Sequence, residues 1–493
     1  MSKYSIGIDV GSSSVKVALL DIATGQQLAS STNPSQEMPI KSLESGWAEQ
    51  DPDMWWKYLS QGIKELAQDN DLSKVASIGI SYQMHGVVLV DKEGKPLRDS
   101  LIWCDSRGVK YGEAATEAIG EGYCQNNLLN KVGNFTASKL AWVKENEPEL
   151  FSKIHKLMLP GDYIAYKLSG EMTTTSTALS EGIFWDFKKE CISEEVTSFF
   201  GFNNEMFCDV RDAIGVHSYT NSNTATLFGI KEATPISYKA GDQPNNAFSL
   251  NVMEPGEIAA TGGTSGVVYG VYSDPQGDAK SRVNSFIHVN HTKDQKRYGA
   301  LLCINGTGIA NAWARRNIVP NLDYVQMNEL AQGVQPGSDG VLVLPFGNGA
   351  ERMLENKYPK SSIIGLDFTR HNNAHILRAT QEGIAFAFAY GIEIMKEMGM
   401  KINTLRAGKA NLFLSDIFVE TLSSLCEVEI ELYNTDGALG AARGAAWGAG
   451  YYKNREEVFA SLKVLSKITP NSDTKQALQQ AYNNWKHELT NKL

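Results

Sequence analysis

The chain has 493 residues, 42% hydrophobic and 21% charged, which is enough for two or three packed cores of ordinary globular make-up. Its formal net charge of −10 argues against a general nucleic-acid binder, which needs a basic surface to neutralise phosphates. Six scattered cysteines without a Cys-x-x-Cys pair, no long apolar run and no signal-peptide pattern argue against a disulfide scaffold, a zinc knuckle and a membrane span, leaving a reduced, cytoplasmic enzyme as the expectation.

The chain opens as strand, turn and strand. Ile6 to Val10 is apolar and β-branched, Gly11-Ser12-Ser13-Ser14 turns, and Val15 to Leu20 resumes the β pattern before a polar reversal at Asp21 to Gln26. Asp53 to Gln68 and Ser138 to Leu150 carry apolar residues at helical intervals, while Ser77 to Ser81 and Val87 to Val90 read as strands. Gly241-Asp242-Gln243-Pro244 and Pro255-Gly256 punctuate the chain and place a domain boundary there, giving domains 1–245 and 246–493. Just beyond, Glu257 to Ala260, the turn Thr261-Gly262-Gly263-Thr264-Ser265-Gly266 and Val267 to Val271 repeat the opening plan, which predicts a duplicated domain. Ala374 to Met398 and Ser415 to Leu425 follow as helices. Gly437 to Gly450 is so dense in glycine and alanine that a closely packed helix beside a nucleotide or hinge is expected. Strands alternating with helices predict α/β architecture, with two lobes around a cleft.

Small residues, hydroxyls and free backbone N–H groups let both turns approach a phosphate closely. Asp9 ends an apolar strand and precedes the first turn, so its carboxylate is placed to hold Mg²⁺ through water. Lys16 is near enough in sequence to reach the same phosphates. Asp242 follows a strand-like run at the domain junction, where a carboxylate can accept a hydroxyl proton. Taken singly, each turn is more often a plain hairpin and each aspartate more often a turn or helix-cap residue; their pairing favours phosphoryl transfer. The Walker A, Rossmann and Gly-x-Ser-x-Gly patterns are absent, and His288/His291 and His371/His375 lack the acidic neighbour of a metalloprotease site.

Several ordered segments resemble the FGGY family of carbohydrate kinases. They are Ile6 to Lys16, Trp47-Ala48-Glu49-Gln50-Asp51-Pro52, Gln83-Met84-His85-Gly86, Trp103-Cys104-Asp105-Ser106-Arg107, Lys139 to Val143, Leu159 to Tyr163, Gly241-Asp242-Gln243, Thr261 to Gly266, Leu344-Pro345-Phe346 with Glu351-Arg352, and Gly437 to Ala442. The resemblance implies two actin-like (ribonuclease H-like) α/β domains flanking an interlobe cleft. It implies ATP and Mg²⁺ as cofactors, a small sugar as partner, a homodimer, and neither nucleic acid nor membrane. It makes Asp242 the catalytic base and Asp9 the metal-positioning carboxylate. Met84, His85, Trp103 and Asp105 would join Asp242 in touching the sugar. Gly11, Ser12, Ser13 and Lys16, with Gly263, Thr264, Ser265, Gly308, Gly408 and Asn411, would bind the nucleotide.

Residues 83–86 resemble the sugar-contact motif of the members that phosphorylate D-xylulose, so that ketopentose is the expected acceptor. Kinases of another ketose, polyol or sugar acid are the alternative, and a non-catalytic actin-like sugar or ATP sensor is a third class. The chain departs from the family at Arg406 to Asn411, where a Gly-Gly-Ala-Lys-Ser segment is usual, at Thr175 in place of aspartate, and at Glu181 in place of glycine.

Overall fold

A computed structural model describes residues 3–493. The first apolar run forms β1 (Tyr4–Val10), whose interior Ile and Val residues are fully buried. The turn that follows returns the chain antiparallel as β2 (Val15–Asp21), and β3 (Gln27–Asn33) extends the meander. With β4 (Val75–Tyr82), β5 (Ile214–Tyr219) and β6 (Pro235–Gly241) they make a six-stranded sheet ordered β5-β6-β4-β1-β2-β3. Strands β1, β4 and β6 run parallel, and β5 closes the edge antiparallel to β6.

The second lobe repeats this plan. Its strands are β7 (Glu257–Gly262), β8 (Gly266–Tyr272), β9 (Asn284–Ile287), β10 (Tyr298–Ile304), β11 (Thr404–Gly408), β12 (Glu429–Tyr433) and β13 (Val464–Ile468). They are ordered β9-β10-β8-β7-β11-β12-β13. Leaving aside β9, the alternation of pairings matches the first sheet strand for strand: an antiparallel meander β10-β8-β7, parallel β7, β11 and β12, and an antiparallel edge β13. The duplication expected from two hairpin turns is therefore present in the topology.

Helix α1 (Pro52–Asp69) is capped by Asp51 and lays Trp55, Leu59 and Ile63 on the apolar face of the first sheet. The helix expected over Ser138 to Leu150 is two: α2 (Thr136–Asn146) and a single turn, Pro148–Phe151. Glu147 breaks them apart, because the proline that follows excludes the α conformation at the residue before it. Thr175 caps α3 (Ser176–Glu181) through its hydroxyl, the work its sequence position leaves to a short polar side chain. The chain crosses between the sheets through α4 (Asp242–Ser249), and the second lobe adds α5 (Gly308–Ile318).

Helix α6 (Gly437–Gly448) belongs to the second half of the sequence but packs on the first sheet. A Cβ on Gly7 would lie 1.8 Å from the carbonyl oxygen of Ala438, and one on Gly79 would lie 2.1 Å from that of Ala441. Glycine on the strands lets the helix rest on bare backbone, and the small residues of α6 reciprocate. No helix among the described residues is long and apolar enough to cross a membrane.

Candidate active site

Because β1, β4 and β6 are parallel, their carboxyl ends open along one rim, the usual position of a ligand crevice in such sheets. Asp9 and Ala240 both lie opposite Ser81 in the register, so Asp9 and Asp242 leave that rim two strands apart, ~10 Å along the sheet. Asp242 senses the charge of Asp9. Burial, and then the negative charge of Asp9, raise the Asp242 pKa to about 7. Burial also raises Asp9; the nearby Ser81 hydroxyl and the charge of Lys16 oppose that rise, and Asp436 adds to it. A cavity of about 500 Å³ opens here, lined by Asp242, Met84, His85 and Trp103 from the first lobe and by Ser265 and Arg352 from the second.

The first turn is fixed from several sides. Gly11 N–H bonds Ser14 O at 3.0 Å. Gln50 donates to Ser12 O at 2.7 Å, and its own carbonyl receives the Trp55 indole at 3.1 Å and the Gln83 amide at 3.2 Å. Trp103 donates to Ser12 Oγ at 3.4 Å. The segment Trp47 to Pro52 thus wires the turn to the strand that presents Met84 and His85. On the facing lobe, Gly308 N–H bonds Gly263 O at 3.0 Å and Ile309 N–H bonds Thr264 O at 3.1 Å, seating the start of α5 on the second turn. A Cβ on Gly308 would fall 2.2 Å from Gly263 O. Gly408 ends β11 on the same rim. Asn411, at φ +53°, starts the turn that packs Leu412 against Gly262. Lys16 is less free than its sequence position suggests: its ammonium is paired with Asp436 at 2.6 Å.

His85 holds a positive φ of 60°, a strained conformation for a residue with a Cβ. Three contacts keep it there. Its N–H points to Glu181 Oε1 at 3.4 Å, its ring Nδ1 meets Glu181 O at 3.0 Å, and its carbonyl accepts from Lys139 Nζ at 3.1 Å. A carbonyl can only accept, so Nδ1 carries the proton and Nε2 is left as an acceptor. Burial lowers the ring pKa to about 3, so the imidazole is neutral.

Lys139 is fully buried and also binds Ile102 O and Trp103 O, at 2.9 and 3.4 Å, joining the two segments that face the acceptor. Burial raises the Glu181 pKa well above the ordinary carboxylate value, and the negative charges of Asp242 and Asp162 add to the rise, while the His85 N–H opposes it. Neither residue stands out as a site residue in the sequence. Their signals were a lysine in an apolar helix and a glutamate where glycine is usual.

Of the expected sugar contacts, Asp105 stands apart from the cavity. Asp105 is completely buried, its carboxylate taken by Arg107 and by Ala48 N–H at 2.7 Å, and it does not line the cavity. It holds the loop that presents Trp103.

Paired phosphate-type turns on two lobes of one plan, with a near-neutral carboxyl group at their junction, define a phosphotransferase cleft. The chain belongs to the FGGY family of carbohydrate kinases: residues 4–249 match its N-terminal domain and residues 258–449 its C-terminal domain. It is accordingly a carbohydrate kinase. A xylulose kinase of Bacillus subtilis (strain 168) is 28% identical over 462 residues, covering 92% of this chain and 90% of that one. The solved xylulose kinase of Rhodospirillum rubrum superposes with a TM-score of 0.89 at 23% identity, covering 99% of each chain. A gluconate kinase of Lactobacillus acidophilus does so with 0.89 at 22%, covering 100% of this chain and 98% of that one.

Kinases of this family use ATP, generally with Mg²⁺. No group of three or more His, Cys, Asp or Glu among the described residues forms a cage for a metal ion. Asp9 nonetheless fits Mg²⁺ that keeps its waters and phosphate ligands: its carboxylate sits near those of Asp242 and Asp436, a spot short of positive charge.

Proposed function

We propose that the protein phosphorylates D-xylulose on its terminal primary hydroxyl, with ATP as donor and D-xylulose 5-phosphate as product. The observation that carries this reading is Asp242, with a pKa of about 7, in one cavity with Met84 and the neutral His85. The relatives named xylulose kinase support the choice of sugar.

Asp242 takes the proton from the C5 hydroxyl as its oxygen attacks the γ-phosphorus. The bond from that phosphorus to the β–γ bridging oxygen breaks, and ADP leaves. Near-neutral basicity suits this step, since the carboxylate is both available at cytoplasmic pH and strong enough to hold the proton. His85 Nε2 accepts a hydrogen bond from another hydroxyl of the sugar and orients it. The backbone N–H groups of the turns at residues 11–14 and 263–265 cradle the phosphates. Mg²⁺ held by Asp9 would neutralise the β- and γ-phosphates. Apolar walls such as Val267 and Leu301 exclude water that would otherwise take the phosphoryl group.

ADP release measured over a panel of ketoses, polyols and aldonic acids tests the reading. D-xylulose is expected to give the highest kcat/KM; no turnover of it alongside turnover of another sugar would remove it.

A further inference from the structure

Lys16 has a carboxylate directly across the sheet and leaves it unpaired. In the antiparallel pair of β1 and β2, Asp9 stands opposite Lys16. Residues so placed send their side chains to one face, with Cα atoms about 5 Å apart, and opposite charges there ordinarily pair. Here the ammonium turns instead to Asp436 Oδ2 at 2.6 Å, and among the described residues it makes no ion pair with Asp9.

Asp436 can hold the lysine because it is itself held. It is the N-cap of α6, and its Oδ1 accepts from Leu439 N–H at 2.9 Å, which leaves Oδ2 for Lys16. The first residue of that helix, Gly437, lies against Asp9: a Cβ there would come within 2.4 Å of Asp9 Oδ2. Asn245 on α4 donates to Gly437 O at 2.9 Å and fixes this approach. A segment from the far end of the sequence thus sets a second carboxylate beside the first. Lys16 and Asp436 keep 32% and 34% of their side chains exposed, so solvent and solutes reach the pair.

The neighbouring charges do not take over this work. Arg443, farther along α6, also senses Asp436, but its Nη1 donates to Thr435 Oγ1 at 3.0 Å. Asp242, two strands away, is a further acid. Among the described residues Lys16 is the one cation within ion-pair distance of either Asp9 or Asp436. An ammonium seated on Asp9 would occupy the oxygens that a hydrated Mg²⁺ needs as acceptors, and would repel the ion. Neutralised on Asp436, it leaves the charge of Asp9 uncompensated.

We propose that Asp436 is a positioning residue for the metal: it draws Lys16 off Asp9 and so keeps the Asp9 carboxylate open to the hydrated Mg²⁺ of the nucleotide. This rests on Asp9 as the Mg²⁺ carboxylate and is independent of which sugar is phosphorylated.

The test is the metal enhancement of ADP binding, the ratio of the ADP dissociation constant in EDTA to that in Mg²⁺. Calorimetry gives it for the full-length wild type, Asp436→Asn, Lys16→Met, the double variant and Asp9→Asn, and the constants do not depend on the fraction of active protein. Asparagine keeps the cap of α6, but its one oxygen stays on Leu439 N–H and its NH₂ group cannot accept from Lys16. The enhancement is expected to fall at least fivefold in Asp436→Asn, all of it as weaker binding in Mg²⁺. The double variant should return to within twofold of Lys16→Met, since the competing ammonium is gone. An unchanged enhancement in Asp436→Asn would overturn the assignment, as would a loss that persists in the double variant. Tighter ADP binding in EDTA would also overturn it, by showing that Asp436 competes with the phosphates for Lys16. Full enhancement in Asp9→Asn would instead remove the reading of Asp9 on which the assignment stands.

Discussion

Replacing Asp242 with Asn removes the proton acceptor at nearly constant shape, and the structure gives it two opposite consequences. Turnover should fall by roughly 10²–10⁴, the usual worth of a positioned base, because an amide cannot take the hydroxyl proton. Stability should rise. The Asp242 pKa goes from 3.8 to about 7 on folding. Three units correspond to ~4 kcal/mol in a sealed site. The carboxyl is open to the wet cleft, which reduces this to about 2 kcal/mol.

The sign follows from proton uptake. The folded state holds this proton more tightly than the unfolded chain, so there is no penalty below the unfolded value. The penalty grows as pH rises, and is complete above about 7. Asp242→Asn should therefore shift the denaturation midpoint upward at pH 8, with the gain falling by more than half at pH 5. Urea unfolding followed by tryptophan fluorescence at both pH values, beside ADP release, measures both effects. A variant that is less stable than the wild type at pH 8, or that turns over near-normally, would refute the reasoning.

The wild-type kcat/KM should fall about tenfold per pH unit below about 7, as the base becomes protonated, and this limb should be absent from the residual activity of Asp242→Asn. Gly79→Ala should destabilise by more than 3 kcal/mol or abolish soluble expression, since its Cβ would sit 2.1 Å from Ala441 O. Gly122→Ala, whose Cβ meets nothing within 4 Å, should lie within about 0.5 kcal/mol of the wild type; thermal shift measurements compare the two. Glu181→Gln keeps the shape of the side chain and an acceptor for His85 N–H, and should leave the acceptor KM within about threefold. Glu181→Ala should raise that KM about tenfold; equal effects from both substitutions would show that Glu181 does not position His85.

The fold was largely legible because its signals are local. A run such as Ile6 to Val10 demands a strand buried on both faces, and a glycine- and serine-rich turn after it forces a hairpin. The same plan met twice along the chain predicts the duplicated lobes, and Asp9 and Asp242 are set at the carboxyl ends of their strands, the first within β1 and the second directly after β6. The helix over Ser138 to Leu150 failed at one residue, where the apolar period continued through a proline that the backbone could not follow.

What sequence alone determined, then, is what nearest neighbours along the chain decide: strand, turn, cap, and the two aspartates at strand ends. Tertiary structure decided the rest, because burial and partners come from residues far apart in sequence. Asp105 resembled a sugar contact until Arg107 and Ala48 claimed it. Lys16 looked free until Asp436, across the molecule, paired with it. Glu181 and Lys139 became positioning groups only when folding brought them to the strained backbone of His85. The pKa of Asp242 follows the same logic, since low dielectric and a neighbouring charge exist only once the strands stand side by side.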